Sequence, residues 1–223
     1  MLTGIHVKSE GTRLTFASAD GFRLAVADIT LSTAPSEPIE VIVPARALRE
    51  LGRLVNDANE NVEMRLNAAR TQVQFALTDV ELVAQLIQGT FPNYSQLIPQ
   101  EYNTKITVSV EEFKREARIA AIFARDGSGI IRLQFAPGTG MPGKLTVSAR
   151  ADEIGNNEGE IDAAVEGDAS KIAFNSRYLQ DVLNALHGES VALEMTGPSS
   201  QGVFRPVGET DYVHVVMPMF VQW

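Results

Sequence analysis

"VIVPARALRELGRLV" (41–55) and "IAFNSRYLQDVLNAL" (172–186) follow one design twice. In each, a short apolar run passes without a loop into a segment whose apolar residues recur at helical spacing. Both therefore read as a strand feeding an amphipathic helix. The match extends outward. "RLTFASADGFRLAVADITL" (13–31) and "KLTVSARADEIGNNEGEIDAAV" (144–165) are each a strand, a polar turn and a longer alternating strand. Downstream, "VEMRLNAARTQVQFAL" (62–77) parallels "VALEMTGPSSQGVFRP" (191–206), and "VELVAQLI" (80–87) parallels "YVHVVMPM" (212–219). The offset stays at about 130 residues, the mark of a tandem duplication. Alternation in "KLTVSAR" and "TQVQFAL" puts one strand face in a core and the other in water, and the hairpin-like spacing predicts antiparallel sheet. Each copy reads as α+β, two helices over a meandering sheet.

"GTFPNYSQLIPQEYNT" (89–104), with two prolines among polar residues, reads as the connector, which divides the chain into domains 1–101 and 102–223. The second copy opens with a strand and helix, "KITVSVEEFKREARIAAIFAR" (105–125), where Ser109 and Glu112 stand at capping-box spacing. Shifted back by the repeat offset, that pair falls before Met1. The first copy is thus expected to lack its leading helix.

Composition excludes several function classes. An apolar content of 44% and a charged content of 21% are those of a globular protein. No apolar run approaches the roughly 20 residues a membrane span needs, and "MLTGIHVKSEG" lacks a signal-peptide pattern. With no cysteine, disulfides and thiolate metal sites are excluded and a cytoplasmic setting is the expectation. His6, His187 and His214 lie too far apart in sequence to suggest a metal site. "GTGMPGK" (138–144) has the spacing of a phosphate-binding loop, but Leu145 stands where Ser or Thr is required and a strand follows instead of a helix, so a hairpin loop is the better reading. "DEIGNNEGEID" (152–162) lacks the alternating ligands of a calcium loop and reads as a solvated turn. No catalytic constellation stands out, and no cofactor or metal is predicted.

Two features remain. Arg46, Arg49 and Arg53 share one face of the first helix, opposite Leu48, Leu51 and Val55, while Lys114, Arg115 and Arg118 cluster on the helix from 110. Either face alone is compatible with an ordinary solvated surface. Two of them in a chain of net charge −9 suggest a directed positive surface for phosphates. The last strand is apolar on both alternating sets, Val213, Val215, Met217, Met219 and His214, Val216, Pro218, Phe220. It reads either as a strand buried on both sides or as the wall of a groove. Proline belongs at a strand edge and methionine suits adaptable surfaces.

Five segments, "ADGFRLAV" (19–26), "VIVPARALREL" (41–51), "GTFPNYSQLIP" (89–99), "FNSRYLQDVLNAL" (174–186) and "YVHVVMPM" (212–219), resemble in order and spacing the bacterial sliding clamp, the beta subunit of DNA polymerase III. The resemblance implies a DNA-clamp fold: three α+β domains in tandem, dimerised head to tail into a ring, with antiparallel sheets outside and helices inside around duplex DNA. This chain would hold the middle and C-terminal domains, without the first domain or the first helix of the middle one. The implied function is non-catalytic. As a processivity factor, the ring tethers the replicative polymerase and slides on phosphates without reading sequence, here with Arg46, Arg49, Arg53, Lys114, Arg115 and Arg118 as candidates, in the bacterial cytoplasm at the nucleoid.

The resemblance also implies a peptide-binding groove between the two domains for short linear motifs of the polymerase, the clamp loader and repair proteins. Its residues would be Leu2, Ala19, Gly21, Phe22, Arg23 and Leu24, with Pro92, Gln96 and Leu97 from the connector, Asn175 and Tyr178 from the last helix, and Val216, Met217, Pro218 and Met219 from the end. Phe22 stands where a histidine or tyrosine is common in the family, Gln96 where a basic residue is common, and Gln222 and Trp223 extend past the usual end. The missing domain supplies half of each ring interface, so the family's dimeric ring is not expected from this chain alone. Apolar sheet surface left uncovered by the missing helix implies another form of homo-oligomer.

Overall fold

A computed structural model describes residues 3–55, 61–138, 141–153 and 155–223. They form two compact units: the residues up to Gly21 with Val26–Asn93, and Phe22–Ala25 with Tyr94–Trp223. The division at Asn93 and Tyr94 lies inside the connector and groups its second half with the second unit.

The first unit runs β1 (Gly4–Glu10), β2 (Arg13–Ala19), β3 (Arg23–Thr30, of which the part from Val26 belongs to this unit and Arg23–Ala25 to the second), β4 (Glu40–Pro44), α1 (Ala45–Leu54), β5 (Glu63–Leu66), β6 (Gln72–Ala76) and β7 (Glu81–Gln85). Its strands order as β3-β2-β1-β4, with a separate sheet β5-β6-β7. β1 and β2 meet in a tight antiparallel turn, with Glu10 opposite Arg13. Gly11 takes the positive φ of +60 that this turn needs, where a side chain would be strained. Inward residues Val7, Leu14, Val41, Val43, Val73 and Phe75 close one core, with Ala47 of α1 packed into it.

The second unit runs β8 (Thr104–Ser109), α2 (Val110–Arg125), β9 (Ile130–Ala136), β10 (Gly143–Ala151), β11 (Gly155–Glu166), β12 (Ser170–Asn175), α3 (Ser176–Ala185), β13 (Ser190–Met195), β14 (Gly202–Pro206) and β15 (Tyr212–Val216). One sheet holds all of its strands, in the order β12-β9-β10-β11-β8-β13-β14-β15. Helix α2 turns Phe113, Ala117, Ala120 and Ala124 inward. The small residues let it lie close on β9 to β11 while Phe113, fully buried, fills the centre of the core.

The duplication is plain in the order of elements. Strands β9 to β12, helix α3 and strands β13 to β15 repeat β1 to β4, α1 and β5 to β7, and β11-β10-β9-β12 mirrors β3-β2-β1-β4. Strand β8 and helix α2 have no counterpart among the described residues of the first unit, as the repeat offset implied. In the second unit β8 pairs with β11 on one side and β13 on the other, joining two half-sheets that stay separate in the first.

Ser109 caps α2, its hydroxyl accepting from the Glu112 amide, which fits the capping spacing in the sequence. Two readings are corrected. The carboxylate-rich stretch 152–162 is not all turn: β11 begins at Gly155 and pairs continuously with β10 as far as Ala163. The last strand stops at Val216, because the chain beyond it leaves the β14 ladder, so Met217, Pro218 and Met219 lie outside the strand. The loop read from 138–144 joins β9 to β10 as a hairpin; its residues 139 and 140 lie outside those described.

Candidate docking surface and candidate nucleic-acid interface

Helix α3 starts where β12 ends. Asn175 is its N-cap, with Oδ1 accepting from the amides of Arg177 (3.0 Å) and Tyr178 (3.3 Å). This cap fixes the first turn and with it the Tyr178 ring. Phe22 stacks on that ring at 6.2 Å and 28°. The Arg23 guanidinium sits 4.5 Å from the ring centroid, and Arg23 Nη1 donates to Asp181 Oδ2 at 2.5 Å. Asp181 follows Tyr178 by three residues, so both reach from one face of α3.

The Phe22 carbonyl accepts from the Met217 amide at 2.8 Å, fixing the start of the C-terminal segment against Phe22. Farther along, Met219 N donates to the carbonyl of Ala173 in β12, and Lys171 Nζ lies 4.8 Å from the Trp223 ring. The segment is tied along β12, yet Phe22 is 59% exposed, Met217 47%, Met219 38% and Phe220 84%.

The predicted docking residues thus separate. Phe22, Arg23, Tyr178 and Met217 come together, and Asn175 acts through its cap. Val216 is fully buried and Leu24 nearly so, so their side chains are core and are not presented. Pro218 is half-buried, and Gln96 and Leu97 lie exposed on a 3-10 turn, Ser95–Leu97. Ala19, at the end of β2, Gly21 and Pro92 belong to the first unit; Leu2 lies outside the described residues. Asp181 was not foreseen; its only signal was its helical spacing from Tyr178.

The basic faces also divide. Arg46 and Arg49 are exposed on α1 and, among the described residues, form no ion pair; Arg53 pairs with Glu50 at 3.3 Å. Lys114 is half-buried, and its Nζ donates to the carbonyl of Leu186 at 3.0 Å, so it braces α2 against the end of α3 instead of offering a free charge. Arg115 is shared with Glu116 at 3.0 Å. Arg118 is exposed and, with Arg125, Arg177, Ile122 and Tyr178, lines an open cavity of about 640 Å³ between α2 and the start of α3. Arg125 and Arg177 add charge there that the sequence reading did not single out, although Asp126 pairs with Arg125.

The family model described as DNA polymerase III beta subunit, central domain, matches residues 1–93, and that of the C-terminal domain matches residues 95–220. The beta sliding clamp of Synechococcus elongatus is 31% identical over 220 residues, covering 98% of this chain and 58% of that protein. Among solved structures, the DNA polymerase sliding clamp from Bacillus subtilis matches with a TM-score of 0.91 at 28% identity, over 99% of this chain and 57% of its own. A sliding clamp from Pseudomonas aeruginosa bound to griselimycin matches with a TM-score of 0.86 at 25% identity, over 98% of this chain and 57% of its own. The chain spans less than two thirds of the length of these relatives. With both domain models matched in chain order, it belongs to the DNA polymerase III beta subunit family.

Proposed function

We propose that this chain serves as a non-catalytic DNA sliding-clamp component that docks short linear peptides on its second unit and so holds a replicative polymerase to duplex DNA. The observation that carries the docking reading is the exposed apolar surface of Phe22 and Met217 beside a fixed Tyr178–Arg23 pair, with exposed Met219 farther along the same segment. Such a surface offers apolar anchors with polar groups that fix orientation. The clamp loader and repair proteins are the other expected bearers of such motifs. A polymerase-derived docking peptide is expected to bind at roughly micromolar strength, the order for a small apolar surface. Tyr178→Ala and Met217→Ala should each weaken it, and griselimycin, which a relative binds, should compete. Fluorescence titration that finds no peptide binding to folded protein would overturn the reading.

On DNA, Arg46, Arg49, Arg53, Arg115 and Arg118 are the proposed phosphate contacts, without base readout; Lys114 supports them through its brace. Encirclement needs more. On the side away from β10, β11 pairs with β8 only at Ala164–Glu166, leaving the backbone from Gly155 to Ala163 open beside Glu158, Glu160 and Asp162. Ile119 and Ile122 are exposed on α2, which packs on β11. An open, acidic, partly apolar sheet edge fits a strand-bearing basic surface of another chain. Retention on circular DNA that is lost on linearisation is the outcome expected of a closed ring. Equal retention on linear DNA would remove encirclement from the proposal and leave docking standing.

A further inference from the structure

We propose that Asp181 is an internal stand-in for a ligand carboxylate: it occupies Arg23 in the unliganded protein and is displaced when an acidic group of a docked peptide pairs with that guanidinium. The proposal rests on the docking reading above and names the chemistry that site selects.

Three observations carry it. First, Arg23 is held by more than its ion pair. Only 26% of its side chain is exposed, and the guanidinium lies over the Tyr178 ring at 4.5 Å. That cation–π contact does not depend on Asp181 and keeps the charge in place when the carboxylate leaves. Second, the Asp181 carboxylate is the weaker tie. Its side chain is 48% exposed, and an ion pair reached by water contributes little, so exchanging one carboxylate for another costs little. Third, the cation stands among apolar anchors: Phe22 stacks on the same Tyr178 ring and its carbonyl holds the Met217 amide. A peptide lying on Phe22 and Met217 brings its neighbouring side chain to Arg23. In a chain of net charge −9, an acidic ligand is favoured only where a local cation outweighs the general repulsion.

Asp181 then sets a threshold. A peptide with a neutral residue at that position leaves the Arg23–Asp181 pair intact. An acidic one must separate it and leave the released Asp181 carboxylate beside its own.

The test uses the full chain and one docking peptide made in two series, with a single Asp or a single Asn moved through the positions beside its apolar anchors. Dissociation constants are measured by fluorescence anisotropy for the native protein and for Asp181→Asn, Asp181→Glu and Arg23→Gln. At one position the native protein should prefer Asp over Asn by about threefold, the scale of an exposed ion pair. Asp181→Asn should raise that preference to about tenfold by removing the competitor, and Asp181→Glu should return it to the native value. Arg23→Gln should abolish it, and added salt should shrink it. If Asp181→Asn weakens both peptides alike, Asp181 is only a brace for Arg23 and the proposal fails; an unchanged Asp-to-Asn ratio overturns it as well. If neither series binds the folded native protein, the docking reading itself falls, and this inference with it.

Discussion

Asn175 ends β12 and begins α3, and its carboxamide accepts from the two amides that hold Tyr178 in the first turn. Asn175→Ala should cost about 1 kcal/mol of stability in urea unfolding, the usual loss of a cap, while Asn175→Asp should recover most of it. Peptide affinity should fall with the alanine variant as the ring is loosened. On the first unit, burial pushes the Asp28 carboxyl up, but hydrogen bonds from Arg13 and Thr15 outweigh it and hold its pKa below the ordinary 3.8. The folded state therefore favours the ionised form. Its contribution is present above pH 3.8 and is lost as pH falls through the lower folded value. Asp28→Asn should melt earlier than the native chain at pH 7, with the gap closing only as pH falls below 3.8.

Residues whose meaning is local were legible in the sequence: the Ser109 cap of α2 and the exposed Arg46 and Arg49 on one face of α1; the Asn175 cap carried no such signal beforehand. Asp181 was not legible either, because its partner Arg23 stands 158 positions away and only folding joins them. Val216 enters the groove set through the resemblance alone, and no local signal in the sequence marks that its side chain is fully buried.

At the scale of elements, the strand-to-helix junctions at Pro44, Ser109 and Asn175 were the most legible feature. At each, the apolar period changes from two to three or four with no loop between. Strand β11 was the least legible. "GNNEGEIDAAVE" is rich in residues depleted from strands, and it is ordered because β10 pairs with it from Gly155 to Ala163. Tertiary pairing there overrides propensity. Close approach between elements also fixes Gly202 at the start of β14, since a Cβ there would stand 2.5 Å from Cζ of the fully buried Phe174. Gly202→Ala should destabilise the chain by about 1–3 kcal/mol, the range for overpacking a closed core, as read by denaturant midpoint.

Over the whole molecule, the net charge of −9 keeps the surface as a whole from coating DNA. Of the proposed phosphate contacts, Arg53 and Arg115 are shared with Glu50 and Glu116, so the test belongs to Arg46 and Arg49, which form no ion pair among the described residues. Charge reversal at Arg46 and Arg49 together should weaken DNA retention and reduce the slope of log affinity against log salt by about two, one for each phosphate no longer neutralised. Peptide affinity, measured on the same variant, should stay at the native value. Equal weakening of both would place the two arginines in the fold and not on DNA.

Strand β8 has a further consequence for how the molecule opens. Because it ties β11 to β13 within one continuous sheet, the amides of β13 and β14 should be among the slowest in the second unit to exchange with solvent. The three-stranded sheet β5-β6-β7 has no such tie, so it should breathe on its own. Hydrogen–deuterium exchange followed by mass spectrometry should show β5 to β7 labelling well before β13 and β14. Two copies of one pattern would then differ by orders of magnitude in protection, because one bridging strand converts two small cooperative units into one large one.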